Sequence, residues 1–293
     1  MPASLKENPG NYLFVSDLDG TLLEPGGVLP GESVARLNRL IDAGLNFSIA
    51  TARTYDAAHP VLNGVRFNLP VILFNGVFLT EFHTGHNLIS TPFIRRDVVH
   101  GIMELLHPRT LDPFIYTFGE TNRLLHRRAG NIGAQRYLNS LEGDRRLCAV
   151  QHYEFLDGEQ IAGFLLIDIP GVLDPVYQEL RTRFKGDLNL YFAEDIAFPG
   201  YYWLQVFHAE ADKGRMLRRL AERTGFPLAK VVVFGDYLND LEMFEAAGKA
   251  VAVANALPEV REAAGHVIAA NAEQGVLKFL ESVLDLKNPA GFR

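Results

Sequence analysis

The sequence has one cysteine, Cys148, in 293 residues. A single thiol excludes an intrachain disulfide and a cysteine-built zinc site, and it fits a reducing compartment. Long apolar runs are missing: stretches such as residues 161–167 fall far short of the ~20 residues that span a bilayer. Residues 1–10 lack the apolar stretch of a signal peptide. Basic excess is missing as well. The 28 Lys and Arg are outnumbered by 35 Asp and Glu, net charge is −7 and pI is about 5.7, so no overall field draws in nucleic acid or anionic lipid. Repeats and low-complexity segments are absent. The expectation is a cytoplasmic protein, monomeric or a small homo-oligomer, with no nucleic-acid or membrane partner. What is there is ordinary for a globular chain, 48% hydrophobic and 22% charged, and long enough for two domains.

The chemistry gathers first in residues 12–23. Tyr12-Leu-Phe-Val15 is a short apolar run that suits a buried strand, and it breaks into Asp17-Leu18-Asp19-Gly20-Thr21-Leu22. If the backbone stays extended, Asp17 and Asp19 point the same way and repel. A divalent cation such as Mg²⁺, which takes oxygen ligands, would relieve that repulsion. Gly20 permits a sharp change of direction or a close approach. A plain Asp-Gly turn after a strand explains the same residues.

Helical and strand patterns then alternate. Residues 33–44 carry Val34, Leu37, Leu40 and Ile41 at helical spacing with Gly44 at the stop. Residues 45–50 read as a strand, with a helix expected to follow through about Leu62, and residues 71–74 read as a third strand. Each strand ends in polar residues, the signature of a parallel α/β sheet with its site at the carboxyl ends. From about residue 78 the pattern changes to paired strands with helices between them. These are strands near 78–80, 86–90, 113–118, 122–126, 149–153, 161–167 and 188–192, with helices near 95–107, 132–141 and 172–184. That pattern suggests an α+β domain with a partly antiparallel sheet. Its arginine pairs, 127–128 and 145–146, and the basic stretch 181–185 read as a solvated face, because residues 91–195 hold 12 Lys and Arg against 15 Asp and Glu. His83 and His86 read as parts of a hairpin around Gly85, a commoner use of such a pair than a metal site. The patterns of the first domain resume with a strand at 202–207.

Three more segments carry polar groups at element ends. Thr51-Ala52-Arg53 closes the second strand; Thr51 suits a helix N-cap, and a helix N-terminus also binds anions. Asp212 is a good N-cap for a helix with Met216, Leu217, Leu220 and Ala221 on one face. Lys213 in its first turn opposes the helix dipole. It is either an exposed lysine tolerating that small cost or one that faces an anion. Val231-Val-Val-Phe234 is an apolar strand, followed by Gly235-Asp236-Tyr237-Leu238-Asn239-Asp240 and a helix with Leu241, Phe244 and Ala247. A carboxylate after a buried strand, with more polar groups on the next turn, can ligate a cation. Asp240 also suits simple dipole compensation. A last helix is expected to about Leu286.

These segments, in this order, resemble the motifs of the haloacid dehalogenase (HAD) superfamily, and the inserted segment resembles in size and position the class IIB cap of its Cof-like hydrolases. The resemblance implies a Rossmann-like parallel core at residues 1–84 and 196–293 with an inserted cap at 85–195. It implies Asp17 as nucleophile and Asp19 as general acid/base, with Mg²⁺ held by Asp17, the Asp19 carbonyl and Asp236. Thr51, Ala52, Arg53, Lys213 and Asn239 are implied to bind phosphate or substrate, and Asp240 to orient Lys213 or a metal-bound water. The related subclass often has Gly where Ala52 stands, so there is less room here near the backbone. The activity implied is Mg²⁺-dependent hydrolysis of small phosphorylated metabolites through an aspartyl-phosphate. A phosphomutase, or a binding protein that kept the fold without turnover, are the alternatives.

Overall fold

The computed structural model of the chain describes residues 9–195 and 198–284. The N-terminal segment considered as a signal peptide lies, apart from its last two residues, outside the described residues, as do positions 285 and 286 of the expected last helix. No helix among the described residues is long and apolar enough to cross a membrane. The chain divides into two compact units, Met1–Ser90 with Asp212–Arg293, and Thr91–Ala211.

The first unit is built on a five-stranded sheet whose strands all run parallel. Its strands are β1 (Leu13–Ser16), β2 (Asn46–Ile49), β12 (Val231–Gly235), β13 (Lys249–Val253) and β14 (His266–Ile268), in the order β14-β13-β12-β1-β2. Strands covered on both faces read as continuous apolar runs, and every residue of β1 and β12 is buried. Among the described residues six helices belong to this unit: α1 (Gly31–Asp42), the one-turn α2 (Tyr55–Ala58), α6 (Lys213–Thr224), α7 (Leu241–Ala246), α8 (Pro258–Ala263) and α9 (Gly275–Leu284). The expected apolar stripe of α6, Met216, Leu217, Leu220 and Ala221, is the face it buries. Asp212 caps that helix through the Arg215 N–H at 2.6 Å, and Gly225 stops it at φ +77°. From β1 the chain moves to β2 on one side; β12, β13 and β14 extend the other side. The winding therefore reverses between β1 and β12, where parallel sheets open a crevice beyond their carboxyl ends.

Two expectations change here. The helix expected through Leu62 is a single turn, α2 (Tyr55–Ala58), with Thr54 at its N-terminal boundary. Thr51 is not its cap; its Oγ1 accepts the Arg53 N–H at 3.1 Å, which turns the chain before a helix can start. The third strand, β3 (Val71–Leu73), touches the parallel sheet through one bridge, Ala50 to Ile72, and otherwise pairs antiparallel with β4 (Phe78–Glu81). β4 in turn pairs with β5 (His86–Ser90). The turn after β3 has three successive residues in the left-handed region: Phe74 at φ +54°, Asn75 at +50° and Gly76 at +87°.

The second unit holds a six-stranded sheet, ordered β10-β11-β9-β6-β7-β8. The strands are β6 (Phe114–Phe118), β7 (Arg123–His126), β8 (Leu147–Ala149), β9 (Gln160–Asp168), β10 (Leu188–Glu194) and β11 (Tyr202–His208). Only β7 and β8 pair parallel. Helices α3 (Arg96–Leu106) and α5 (Pro170–Arg183) share one core with Ile115, Leu125, Phe164, Leu166, Leu204 and Val206 from the strands. On the alternate strand positions Phe114 and Trp203 meet Tyr137 of α4 (Ile132–Ser140), with ring centroids 4.9 and 5.1 Å apart. The limits of this unit differ from the 85–195 expected. β5 stays with its hairpin partner β4, and β11 leaves the parallel core because it runs back along β10 and flanks β9. Three of the four paired arginines are engaged with carboxylates: Arg127 and Arg128 with Asp112 at 3.1 and 2.7 Å, and Arg146 with Asp144 at 2.6 Å. His83 Nε2 lies 3.0 Å from the Phe67 carbonyl oxygen, as a hairpin residue.

Candidate active site

β1 delivers Asp17 to the carboxyl end of the sheet. Its N–H still bonds the Phe234 carbonyl of β12 at 2.9 Å, so its backbone is fixed by the sheet itself. The backbone of Asp19 is again extended, at φ −70° and ψ 124°, and Gly20 at φ +77° then turns the chain. The two carboxylates have different partners. The buried Asp17 carboxylate accepts from Lys213 Nζ at 2.7 Å, whereas the exposed Asp19 carboxylate is bound by Arg53.

Lys213 is fully buried, which excludes the exposed-lysine reading. Its ammonium bonds Asp17 Oδ1 and Asp240 Oδ1, both at 2.7 Å. Burial pulls the ammonium down, but Asp17 and Asp240 together push its pKa above the usual lysine range. The backbone around it is tightly packed. A Cβ on Gly76 would lie 2.2 Å from the Asp212 carbonyl oxygen, and one on Gly214 would lie 2.2 Å from the Glu242 carbonyl oxygen.

Asp236 follows β12. Its carboxylate accepts from Thr21 Oγ1 at 2.5 Å, and its pKa is pushed up to about 7, first by burial and then by Asp240. Asp17 is likewise held well above 3.8, because burial and the Asp240 and Asp236 charges outweigh Lys213. Oxygens of Asp17, Asp236 and Asp240 lie within 4.8 Å of one another, the one such group of His, Cys, Asp or Glu side chains among the described residues. Three carboxylates crowd around one ammonium in a buried site, and the raised pKa values of Asp17 and Asp236 reflect that crowding of like charge. That crowding and an all-oxygen donor set fit a hard divalent cation. Asp240 is already committed: Oδ1 to Lys213, and Oδ2 to the N–H groups of Asp236 and Tyr237 at 2.9 and 3.1 Å. Asp17 and Asp236 keep the lone pairs that a cation needs.

Thr51 is buried at the end of β2, and its N–H is held by the Ile72 carbonyl at 3.0 Å. Ala52 and Arg53 follow it, half-buried. Asn239 donates to Asn75 Oδ1 at 3.0 Å, while its own Oδ1 is buried without a partner among the described residues.

Some contributors to this site were not singled out from the sequence. Asn75 orients Asn239 from a backbone that non-glycine residues seldom adopt, and Asn75-Gly76 at the end of an apolar run was the visible sign of a turn. Asn255 bonds the Gly20 carbonyl at 2.7 Å and, through its Oδ1, the Asn271 N–H at 3.0 Å, tying the first turn to the C-terminal segment. Gly20 itself is required on two counts: its φ, and a Cβ that would sit 2.2 Å from Asp236 Oδ2. Gly20→Ala is expected to displace that carboxylate and cost roughly 1–3 kcal/mol. Urea unfolding reads this directly, and an unchanged midpoint would show that the turn relaxes freely.

A parallel sheet with nested carboxylates and one lysine at its carboxyl ends suits chemistry on a phosphate ester, and comparison with known proteins places the chain. A profile of the haloacid dehalogenase-like hydrolases matches residues 14–280, and the chain belongs to that family, in its Cof-like branch. It is 26% identical over 271 residues to the pyridoxal phosphate phosphatase YbhA of Escherichia coli, covering 92% of this chain and 97% of that one. It is also 26% identical to YwtE of Bacillus subtilis, a 5-amino-6-(5-phospho-D-ribitylamino)uracil phosphatase, over 92% of this chain and 96% of that one. Among solved structures it resembles TM0651 from Thermotoga maritima, with a TM-score of 0.74 at 29% identity, over 92% of this chain and 97% of that one.

Proposed function

We propose that this phosphoric monoester hydrolase is a Mg²⁺-dependent phosphatase of small phosphorylated metabolites, working in the cytoplasm through an aspartyl-phosphate on Asp17. The observation that carries the reading is the buried Lys213 bridging Asp17 and Asp240, with the Asp236 carboxylate alongside. Asp17, Asp236 and the main-chain carbonyl of Asp19 would hold Mg²⁺, whose charge would let an anionic ester approach an anionic nucleophile.

The chain's own residues do the rest. An Asp17 oxygen forms a bond to phosphorus as the ester P–O bond breaks, and Asp19 gives its proton to the departing alkoxide. Water then attacks the aspartyl-phosphate, Asp19 takes a proton from it, and the bond between Asp17 and phosphorus breaks to release phosphate. Thr51, the backbone at Ala52, Lys213 and the second amide hydrogen of Asn239 hold the phosphoryl oxygens as charge moves onto them. Asp240 keeps Lys213 in place. Two relatives are named for phosphates of nitrogen-ring compounds, so such esters are the first substrates to try.

The test is phosphate release from a panel of phosphorylated metabolites, pyridoxal phosphate included, with Mg²⁺ and with EDTA. Release that requires Mg²⁺ is expected. A phosphate isomer appearing in place of free phosphate would make the protein a mutase, and no release from any ester would make it a silent binding protein.

A further inference from the structure

Asp19 is held by more than its own backbone. Arg53 grips its carboxylate with two parallel bonds, Nε to Oδ2 at 2.7 Å and Nη2 to Oδ1 at 2.6 Å. A fork of this kind fixes both the position and the plane of a carboxylate, which a lysine cannot do. The guanidinium is anchored in turn. Its Nη1 reaches the Ala57 carbonyl of α2 at 3.3 Å. The Arg53 backbone is pinned at both ends, its N–H to Thr51 Oγ1 at 3.1 Å and its carbonyl to the Phe74 N–H at 2.9 Å. On another side a small turn closed by the bridge between Glu24 and Val28 brings Gly27 against the pair. A Cβ on Gly27 would lie 3.0 Å from Arg53 Nη2 and 3.7 Å from Asp19 Oδ1. The ion pair is thus walled by one backbone segment and tethered to another.

This arrangement answers a need that the site otherwise leaves open. Asp17 is immobilised by burial and by Lys213, but the Asp19 side chain is 51% exposed on a turn. An exposed carboxylate is free to change rotamer, and a displacement of about 1 Å at a reacting group can cost on the order of 10²-fold in rate. The sequence assigned Arg53 to phosphate or substrate. We infer instead that Arg53 is a positioning residue for Asp19, aiming its carboxylate for the proton transfers at the leaving-group oxygen and the attacking water. The inference rests on the reading of Asp19 as acid/base. Its consequence is selective: the benefit falls on esters whose leaving oxygen needs a proton. An alkoxide needs one, whereas 4-nitrophenolate departs without it.

The experiment compares wild type, Arg53→Met, Arg53→Lys and Asp19→Asn, with Mg²⁺, on 4-nitrophenyl phosphate and on an alkyl ester that the panel shows to be turned over, pyridoxal phosphate first. Single-turnover cleavage and steady-state KM are measured for each. Arg53→Met is expected to slow alkyl cleavage by about 10²-fold while nitrophenolate formation stays within about threefold of wild type. KM should not rise on either ester, and on 4-nitrophenyl phosphate it should fall while a nitrophenolate burst appears, as the phospho-enzyme waits for its misaligned base. Arg53→Lys keeps the cation, so it still tests the idea if Arg53→Met does not fold; it should recover less than a tenth of the lost rate. The inference is overturned if Arg53→Met raises KM and slows both esters alike, which is the behaviour of a phosphate contact, or if Arg53→Lys matches wild type. Asp19→Asn separates the two layers. If it shows the ester split and Arg53→Met does not, only the role of Arg53 falls. If Asp19→Asn shows no split, the acid/base assignment falls and the inference with it.

Discussion

Asp17→Asn is expected to abolish turnover, by at least about 10⁴-fold, and at neutral pH to make the metal-free protein more stable. The two effects have one cause. Asp17 is a carboxylate carried into a buried site beside Asp236 and Asp240, and its pKa in the folded chain stands well above the ordinary 3.8. A carboxyl raised on folding favours the folded state where both states are protonated, and that contribution is lost as pH rises through the folded value. Replacing it with a neutral amide of the same shape removes the loss, while removing the carboxylate proposed to attack phosphorus. In EDTA the thermal midpoint of Asp17→Asn should therefore exceed that of wild type at pH 8. The gap should close toward pH 4. A variant that kept wild-type turnover would end the assignment of Asp17 as nucleophile. A midpoint below wild type at pH 8 would show that Lys213 outweighs the repulsion from Asp236 and Asp240.

Lys213→Met is expected to damage both properties at once. Here the cation is removed and the carboxylates stay. Breaking a buried ion pair from one side costs about 3–5 kcal/mol, a large share of the roughly 5–15 kcal/mol that keeps a domain folded. The penalty should depend on pH. Asp236 protonates near pH 7 and Asp17 is raised as well, so acidification neutralises the stranded carboxylates and shrinks the loss. Urea unfolding in EDTA at pH 5 and at pH 8 reads this, with the larger destabilisation at pH 8. Phosphate release should vanish in either case. Equal destabilisation at the two values would mean that Lys213 acts through packing rather than charge.

Much of this was legible before any coordinates. Apolar runs at 12–15 and 231–234 were strands because a doubly covered parallel strand can hardly be anything else, and polar residues at their ends marked the side on which a site would open. The amphipathic stripe of 213–224 fixed the helix that carries Lys213. The misses have particular causes. The segment after Thr51 had helical residues, but a hydroxyl that bonds the backbone two residues on competes with the first helical turn. Residues 71–73 do run parallel to the core at their one bridge, Ala50 to Ile72, but a turn through three left-handed residues then sends the chain back as β4, so their ladder forms with that hairpin and not with the five-stranded sheet. Residues 202–208 looked like core because they lead into Asp212, yet pairing with β9 and β10 decides their sheet. Contacts such as Asn239 with Asn75, 164 positions apart, exist only once the sheet has formed.

The pairing of Leu13 with Val231 carries a consequence for the newborn chain. The central strand of the parallel sheet has β2 within reach early, but its other neighbour leaves the ribosome more than 200 residues later. Until then Phe14 and Val15 have one bare flank, and closing so long a loop is slow. The segment between has its own hydrophobic centre and can condense first, which shortens the span that diffusion must cross. Late translation, from β12 onward, is thus the interval in which Asp17 gains its place beside Lys213, and in which the unfinished chain is most exposed to association with its own kind.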